Sequence, residues 1–168
     1  SNSNNFLTID NIISIILIAI GIVFVVAYIY LVVKFKAKGF IAVYFQVGYL
    51  GILLLILRLT SAIITIEGLA GIVIAMVLEY IFTYIVLRNL SQNTEGMYKK
   101  ANLEFFLNTL PIYIIAIVFT FASRVNISSF GMSLFWGILL IYVYNFIFPK
   151  YIFENLNGRS KWKHLKKY

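Results

Sequence analysis

The feature that most constrains this chain is the apolar run from Gly68 to Leu87, which carries one carboxylate, Glu79, near its middle. The run is as long as the ~20 residues that a helix needs to cross a bilayer. Four more runs reach or approach that length: about Asn11 to Val33, Gly39 to about Leu57, about Phe105 to Ala122, and about Phe130 to Phe148. The sequence therefore predicts an all-α, polytopic membrane bundle with five transmembrane helices.

Composition points the same way. Of the 168 residues 62% are hydrophobic and 12% charged, and the mean hydropathy is +0.94. A soluble domain of this size cannot hide so much apolar surface, whereas lipid solvates the outer face of a membrane domain. Strands are excluded because the alternation that a membrane barrel needs is absent. The fourth run is the weakest, because Asn108, Thr109 and Pro111 interrupt its beginning.

Basic residues predict how the chain crosses the membrane. Of the 14 lysines and arginines, all but Arg58 and Arg124 lie in the first and third connections or after Phe148. Because positive residues stay on the cytoplasmic side, we expect a multi-pass protein of the cell membrane with its N-terminus outside and its C-terminus in the cytoplasm. The predicted organisation is an outward segment at 1–10, a transmembrane domain at 11–153 and a basic tail at 154–168. We expect the tail to contact anionic lipid, or else to dock ribosomal RNA or another cytoplasmic partner.

Several chemistries are disfavoured. The chain has no cysteine, and its one histidine, His164, lies in the tail. No nucleophile–base set, glycine-rich phosphate loop or metal-ligand cluster is visible, so we expect neither an enzyme nor a bound cofactor or metal. The net charge of +8 is concentrated at the ends of apolar runs, and nucleic-acid binding by the membrane domain is not expected.

The acid lies on a distinctive helical stripe. Residues Gly71, Ala75, Glu79 and Thr83 follow one another at intervals of four. Small residues allow a neighbouring helix to approach closely, so we expect Gly68, Gly71 and Ala75 to form a helix contact with Glu79 facing the same neighbour.

Two interpretations of Glu79 follow from its depth. A charge at the bilayer centre costs at least ~2.5–3.5 kcal/mol, so the carboxyl is either protonated or paired. It could carry a proton, with Thr83 and Asn108 as polar neighbours. It could instead be a structural group that is hydrogen-bonded to Gln46, Asn108, Asn145 or a tyrosine.

Several motifs resemble one membrane-protein family. The segment ITIEGLAGIVI, Ile64 to Ile74, is similar to LTLPGIAGIVL of the SecD subunits, which assist Sec-dependent protein export and belong to the resistance–nodulation–division superfamily. KAKGFIAV, Lys36 to Val43, resembles the family's YRxxGLIA, and SSFGMSLFWGILL, Ser128 to Leu140, resembles KGFAVTLxxGILxS. ANLEFFLNTLPIYIIAIVFTF, which begins at Ala101, lies where the family has AFxTILDANVTTLIAAIIL. The ordered set covers about Asn11 to Phe153.

The resemblance implies a role and partners. The chain would be the five helices that follow the first helix and large extracytoplasmic domain of a SecD-like subunit, which fits a start without Met. Its partners would be a SecF-like half, separate or fused, a SecY-type channel and the translocating polypeptide. The family's Asp–x–Asn pair, linked to the proton gradient, falls on Ile81 and Thr83, and its next aspartate on Asn108. Both aspartates are thus replaced, and Glu79 lies two residues before the first.

Two other functions compete with export. A membrane scaffold without transport chemistry would use the helices only to assemble partners, and Glu79→Gln would then be silent. A solute or lipid transporter of the same superfamily would show a solute-dependent proton flux in vesicles.

Overall fold

The computed structural model describes residues 9–60, 62, 64–91 and 95–152. Every regular element in this part of the chain is a helix: α1 (Ile9–Phe35), α2 (Ala37–Leu59), α3 (Ile66–Ser91), α4 (Glu95–Thr120) and α5 (Val125–Ile152). Each contains a stretch long and apolar enough to cross a membrane. The prediction of an all-helical chain with five membrane-length helices is confirmed. The predicted basic tail at 154–168 and the first eight residues lie outside the described residues.

The fourth helix differs most from its predicted bounds. It begins at Glu95 rather than near Phe105, and it continues through Pro111. The polar segment before the apolar run is rich in Glu, Lys, Met, Ala and Leu, which are good helix formers outside lipid as well. In the turn of α4 that precedes the proline, Thr109 Oγ1 donates back to the carbonyl of Phe105 at 2.9 Å. In α4 the helix is therefore longer than its apolar stretch, which begins at Asn102.

The described chain divides into two compact units, with the boundary between Val43 and Tyr44. In the first unit Lys36, with φ of 56°, separates α1 from α2. A Cβ at Gly39 would collide with the backbone carbonyl of Leu31. A larger residue at position 39 would therefore push the start of α2 away from the end of α1.

In the second unit α5 is the central helix, since it packs against both α3 and α4. Its Leu134 and Ile138 form a buried core with Ala116 of α4. Gly131 lies so close to Phe119 and Thr120 that an added Cβ would clash with their atoms. Close packing on two sides makes α5 the element against which α3 and α4 are positioned.

Candidate functional site

The stripe on α3 is buried along its whole length. Gly71, Ala75, Glu79 and Thr83 all lie inside the bundle, and Glu79 is only 1% exposed. By contrast Ile81, two residues on, is 42% exposed. The helix thus turns its acid toward other helices and an apolar side chain outward.

Glu79 belongs to a hydrogen-bonded group that we call the acid cluster, formed by Gln46, Glu79 and Thr83. Gln46 Nε2 donates to Thr83 Oγ1 at 2.7 Å and to Glu79 Oε1 at 3.3 Å. It also lies 3.4 Å from the backbone carbonyl of Glu79. Thr83 Oγ1 in turn donates to Glu79 Oε1 at 3.2 Å. The cluster ties α2 to α3 at a fully buried position.

The carboxyl is satisfied on one oxygen only. Glu79 Oε1 accepts from both Gln46 and Thr83, whereas Oε2 has no hydrogen-bond partner among the described residues. A buried polar atom without a partner costs about 1–3 kcal/mol. Binding a proton at Oε2, or accepting a hydrogen bond there from another side chain, would therefore remove this free-energy cost. The Glu79 carboxyl is the group of the cluster that can take up or release a proton.

A close contact between α3 and α5, which we call the α3–α5 seam, lies beside the acid cluster. A Cβ on Gly71 would lie 2.9 Å from the carbonyl oxygen of Phe130 and 3.1 Å from Ser133 Cβ. A Cβ on Gly68 would collide with Ser129 Oγ, which accepts a hydrogen bond from Thr65 N. Small residues on α3 thus bring the two backbones close together.

Tyr49 of α2 joins the seam one helical turn from the acid cluster. Its buried hydroxyl donates to the backbone carbonyl of Gly137 at 2.8 Å. Gly137 also faces Ala75, whose Cβ would clash with a side chain at position 137. Three helices therefore meet at Tyr49, Ala75 and Gly137.

The structure brings some of the predicted site residues together and leaves others apart. Glu79 and Thr83 share the acid cluster, and Gly68, Gly71 and Ala75 lie in the α3–α5 seam. Asn108 is exposed on α4, while its neighbour Thr109 is buried and lies 3.1 Å from the Tyr142 hydroxyl. Asn108 was expected beside Glu79 because the resemblance aligns it with an acid, but the rotation of α4 turns it outward. The Asn145 side chain lies outside the described residues.

The sequence alone assigns no role to Tyr49 or Gly137. On α2 the buried residues Gln46, Tyr49, Leu53 and Leu57 are spaced by three or four, so Tyr49 shares the face of Gln46. The polar Gln46 marks that face in the sequence. Ser133 of α5 is buried, and its Oγ has no partner among the described residues.

No family model, curated protein or solved structure matches the chain. In the part of the chain that the structure describes, no three His, Cys, Asp or Glu residues are grouped as a metal site. The acid cluster, the α3–α5 seam and the five apolar helices are the features of this chain that bear on its function.

Proposed function

We propose that this chain is the five-helix membrane part of a SecD-like accessory subunit of the Sec translocase. It would lie in the cell membrane with its N-terminus outside and its tail in the cytoplasm. It would assist late translocation or membrane insertion of a polypeptide, beside a SecY-type channel and a SecF-like half. Twelve of its basic residues would then face the cytoplasm, as the positive-inside rule requires.

The observation that carries the proposal is the pairing of two motif-bearing segments. The segment Ile64–Ile74 supplies Gly68 and Gly71, and the segment Ser128–Leu140 supplies their contacts on α5. Two of the stretches that resemble the SecD family are far apart in sequence yet lie against each other. A chance resemblance in two apolar helices would not require them to be neighbours.

Glu79 is the residue that we assign to energy coupling. The family's acid would fall on Ile81, which is 42% exposed, whereas Glu79 is buried and hydrogen-bonded to Thr83. An acid at position 79 therefore reaches the interior and the position-83 side chain, which an acid at the exposed position 81 would not. Moving the carboxyl by two residues keeps a titratable group inside the bundle.

Export measured in cells tests the proposal. We expect Glu79→Gln to slow the release of a pulse-labelled secreted protein, because glutamine has no ionisable carboxyl group. The subunit should still accumulate in the membrane, because glutamine fills the same space as glutamate. Thr60→Ala, at an exposed position at the end of α2, is the matched control and should export normally. Unchanged export in a strain that depends on the Glu79→Gln protein would refute energy coupling through this residue. Normal export after loss of the whole chain would refute the export function itself.

A membrane scaffold is the second candidate, and one contact favours it. Glu79 Oε1 is already bonded to Gln46 and Thr83, as in an interhelical polar contact with no transport role. A scaffold predicts that Glu79→Gln is silent and that Gly71→Val prevents recovery of the assembled complex. Gly51→Val is the control, because no atom lies within 4 Å of a Cβ placed there.

A further inference from the structure

The hydroxyl of Tyr49 lies between two acceptors that belong to different helices. In the structure it donates to the Gly137 carbonyl of α5 at 2.8 Å. Glu79 on α3 interacts electrostatically with Tyr49, and its Oε2 has no partner among the described residues. The Tyr49 hydroxyl is therefore bonded to the Gly137 carbonyl, and a second acceptor, Glu79 Oε2, is without a donor among these residues.

The two acceptors lie on adjacent turns of the same interface. Ala75, which faces Gly137, precedes Glu79 by one turn of α3. Tyr49 follows Gln46, the partner of Glu79, by three residues on α2. One helical turn, ~5 Å along the axis, therefore separates the Gly137 contact from the carboxyl, and a change of χ1 at Tyr49 is the motion that the exchange requires.

We propose that Tyr49 is a positioning residue that transmits the charge state of Glu79 to α5 by exchanging its hydroxyl between Gly137 and Glu79. When the carboxyl is ionised, its free oxygen is the stronger acceptor, because hydrogen bonds to a charged group are roughly twice as strong as neutral ones. Tyr49 then leaves the Gly137 carbonyl, and α5 loses its hydrogen bond to α2. When the carboxyl is protonated, Tyr49 returns to Gly137 and the three-helix contact closes.

The groups that face Glu79 make this exchange specific. Gln46 of α2 and Thr83 of α3 are uncharged and are both bonded to Oε1. The titratable groups that interact with Glu79 in the described part of the chain are Tyr49 of α2 and Tyr144 of α5. The two tyrosine rings pack edge to face, with centroids 5.7 Å apart. Tyr144→Phe is therefore a matched control, since it removes a hydroxyl from the same environment without touching Gly137.

This inference depends on the proposed titration of Glu79, and its test is independent of export. The chain has no cysteine, so two cysteines can carry spin labels without background. We choose the exposed positions Val47 on α2 and Val143 on α5, and the purified protein is reconstituted in lipid vesicles. The distance between labels is measured at acid and alkaline pH. A second pair, Val77 on α3 and Ile114 on α4, monitors the rest of the bundle.

We expect the Val47–Val143 distance to be longer at alkaline pH, and this change to be lost in Tyr49→Phe and in Glu79→Gln but kept in Tyr144→Phe. The Val77–Ile114 distance should stay constant. A distance change that persists in Tyr49→Phe would overturn the proposal, as would its loss in Tyr144→Phe or the absence of any change in the parent. If the distances behave as expected while Glu79→Gln exports normally, energy coupling of export through Glu79 fails and the exchange stands. If export is also normal after loss of the whole chain, the export function fails and the exchange still stands.

Discussion

At the scale of single residues, the acid cluster explains how a carboxyl is kept inside an apolar bundle. Gln46 and Thr83 both donate to the same oxygen of Glu79. The amide and the hydroxyl thus replace hydrogen bonds that the carboxyl would make with water outside the bundle. The arrangement could be foreseen only in part. Intervals of four place Glu79 and Thr83 on one face of a helix, but no local signal in the sequence tells which residue of another helix will meet them.

Removing Gln46 should therefore destabilise the bundle through Glu79. Gln46→Leu leaves Oε1 with one donor instead of two in a fully buried position, and we expect a loss of about 1–3 kcal/mol in unfolding free energy. The measurement is reversible unfolding in mixed micelles. The double variant Gln46→Leu with Glu79→Leu should recover most of the loss, because the buried carboxyl is removed together with its donor and the Thr83 hydroxyl can donate to the backbone carbonyl of position 79, one turn earlier in the same helix. Additive losses in the double variant would show that the two side chains are not coupled.

At the scale of the helices, the sequence predicts how many helices there are but not which helices pack against each other. A membrane-length apolar run is a local property, so all five helices could be read from the sequence. Which face is buried depends on other helices, and lipid-facing residues are as apolar as core residues. Val77 on α3 is 43% exposed, for example, while Phe82 on the same helix is fully buried. Small residues and the occasional polar side chain were the only guides to packing, and they located the face of α3 but not Tyr49 on α2.

Close packing at Gly137 gives a prediction for the contact of three helices. An alanine at position 137 would place its Cβ against Ala75 Cβ and 3.2 Å from the Tyr49 hydroxyl. We expect Gly137→Ala to lower the unfolding free energy by about 1–3 kcal/mol, as overpacking does in tight cores. Gly51→Ala is the control, because open space surrounds that position and alanine favours a helix. Equal stability of the two variants in mixed micelles would mean that α3 and α5 are not in close contact at Gly137.

At the scale of the whole molecule, the connections between helices separate into two chemical kinds. Lys34, Lys36 and Lys38 surround the end of α1 and the start of α2, and the Lys34 ammonium lies 5.6 Å from the ring centres of both Tyr30 and Phe35. Aromatic rings beside a lysine are typical of an interface with headgroups. The connection between α4 and α5 carries one cation, Arg124. Under the positive-inside rule, the proposed orientation would place the lysine-rich connection in the cytoplasm and the connection with Arg124 outside.

Labelling of single cysteines tests this arrangement directly. We expect cysteines introduced at Lys38 and Lys99 to react with a membrane-impermeant thiol reagent only after the membrane is opened, since both would face the cytoplasm. A cysteine at Ser123, between α4 and α5, should react in intact cells because that connection would lie outside. The unsubstituted chain, which has no cysteine, gives the background. Reaction at Lys38 and protection at Ser123 in intact cells would reverse the orientation. An outward-facing N-terminus, which the SecD resemblance requires, would then be excluded, even though the helices and the acid cluster would be unchanged.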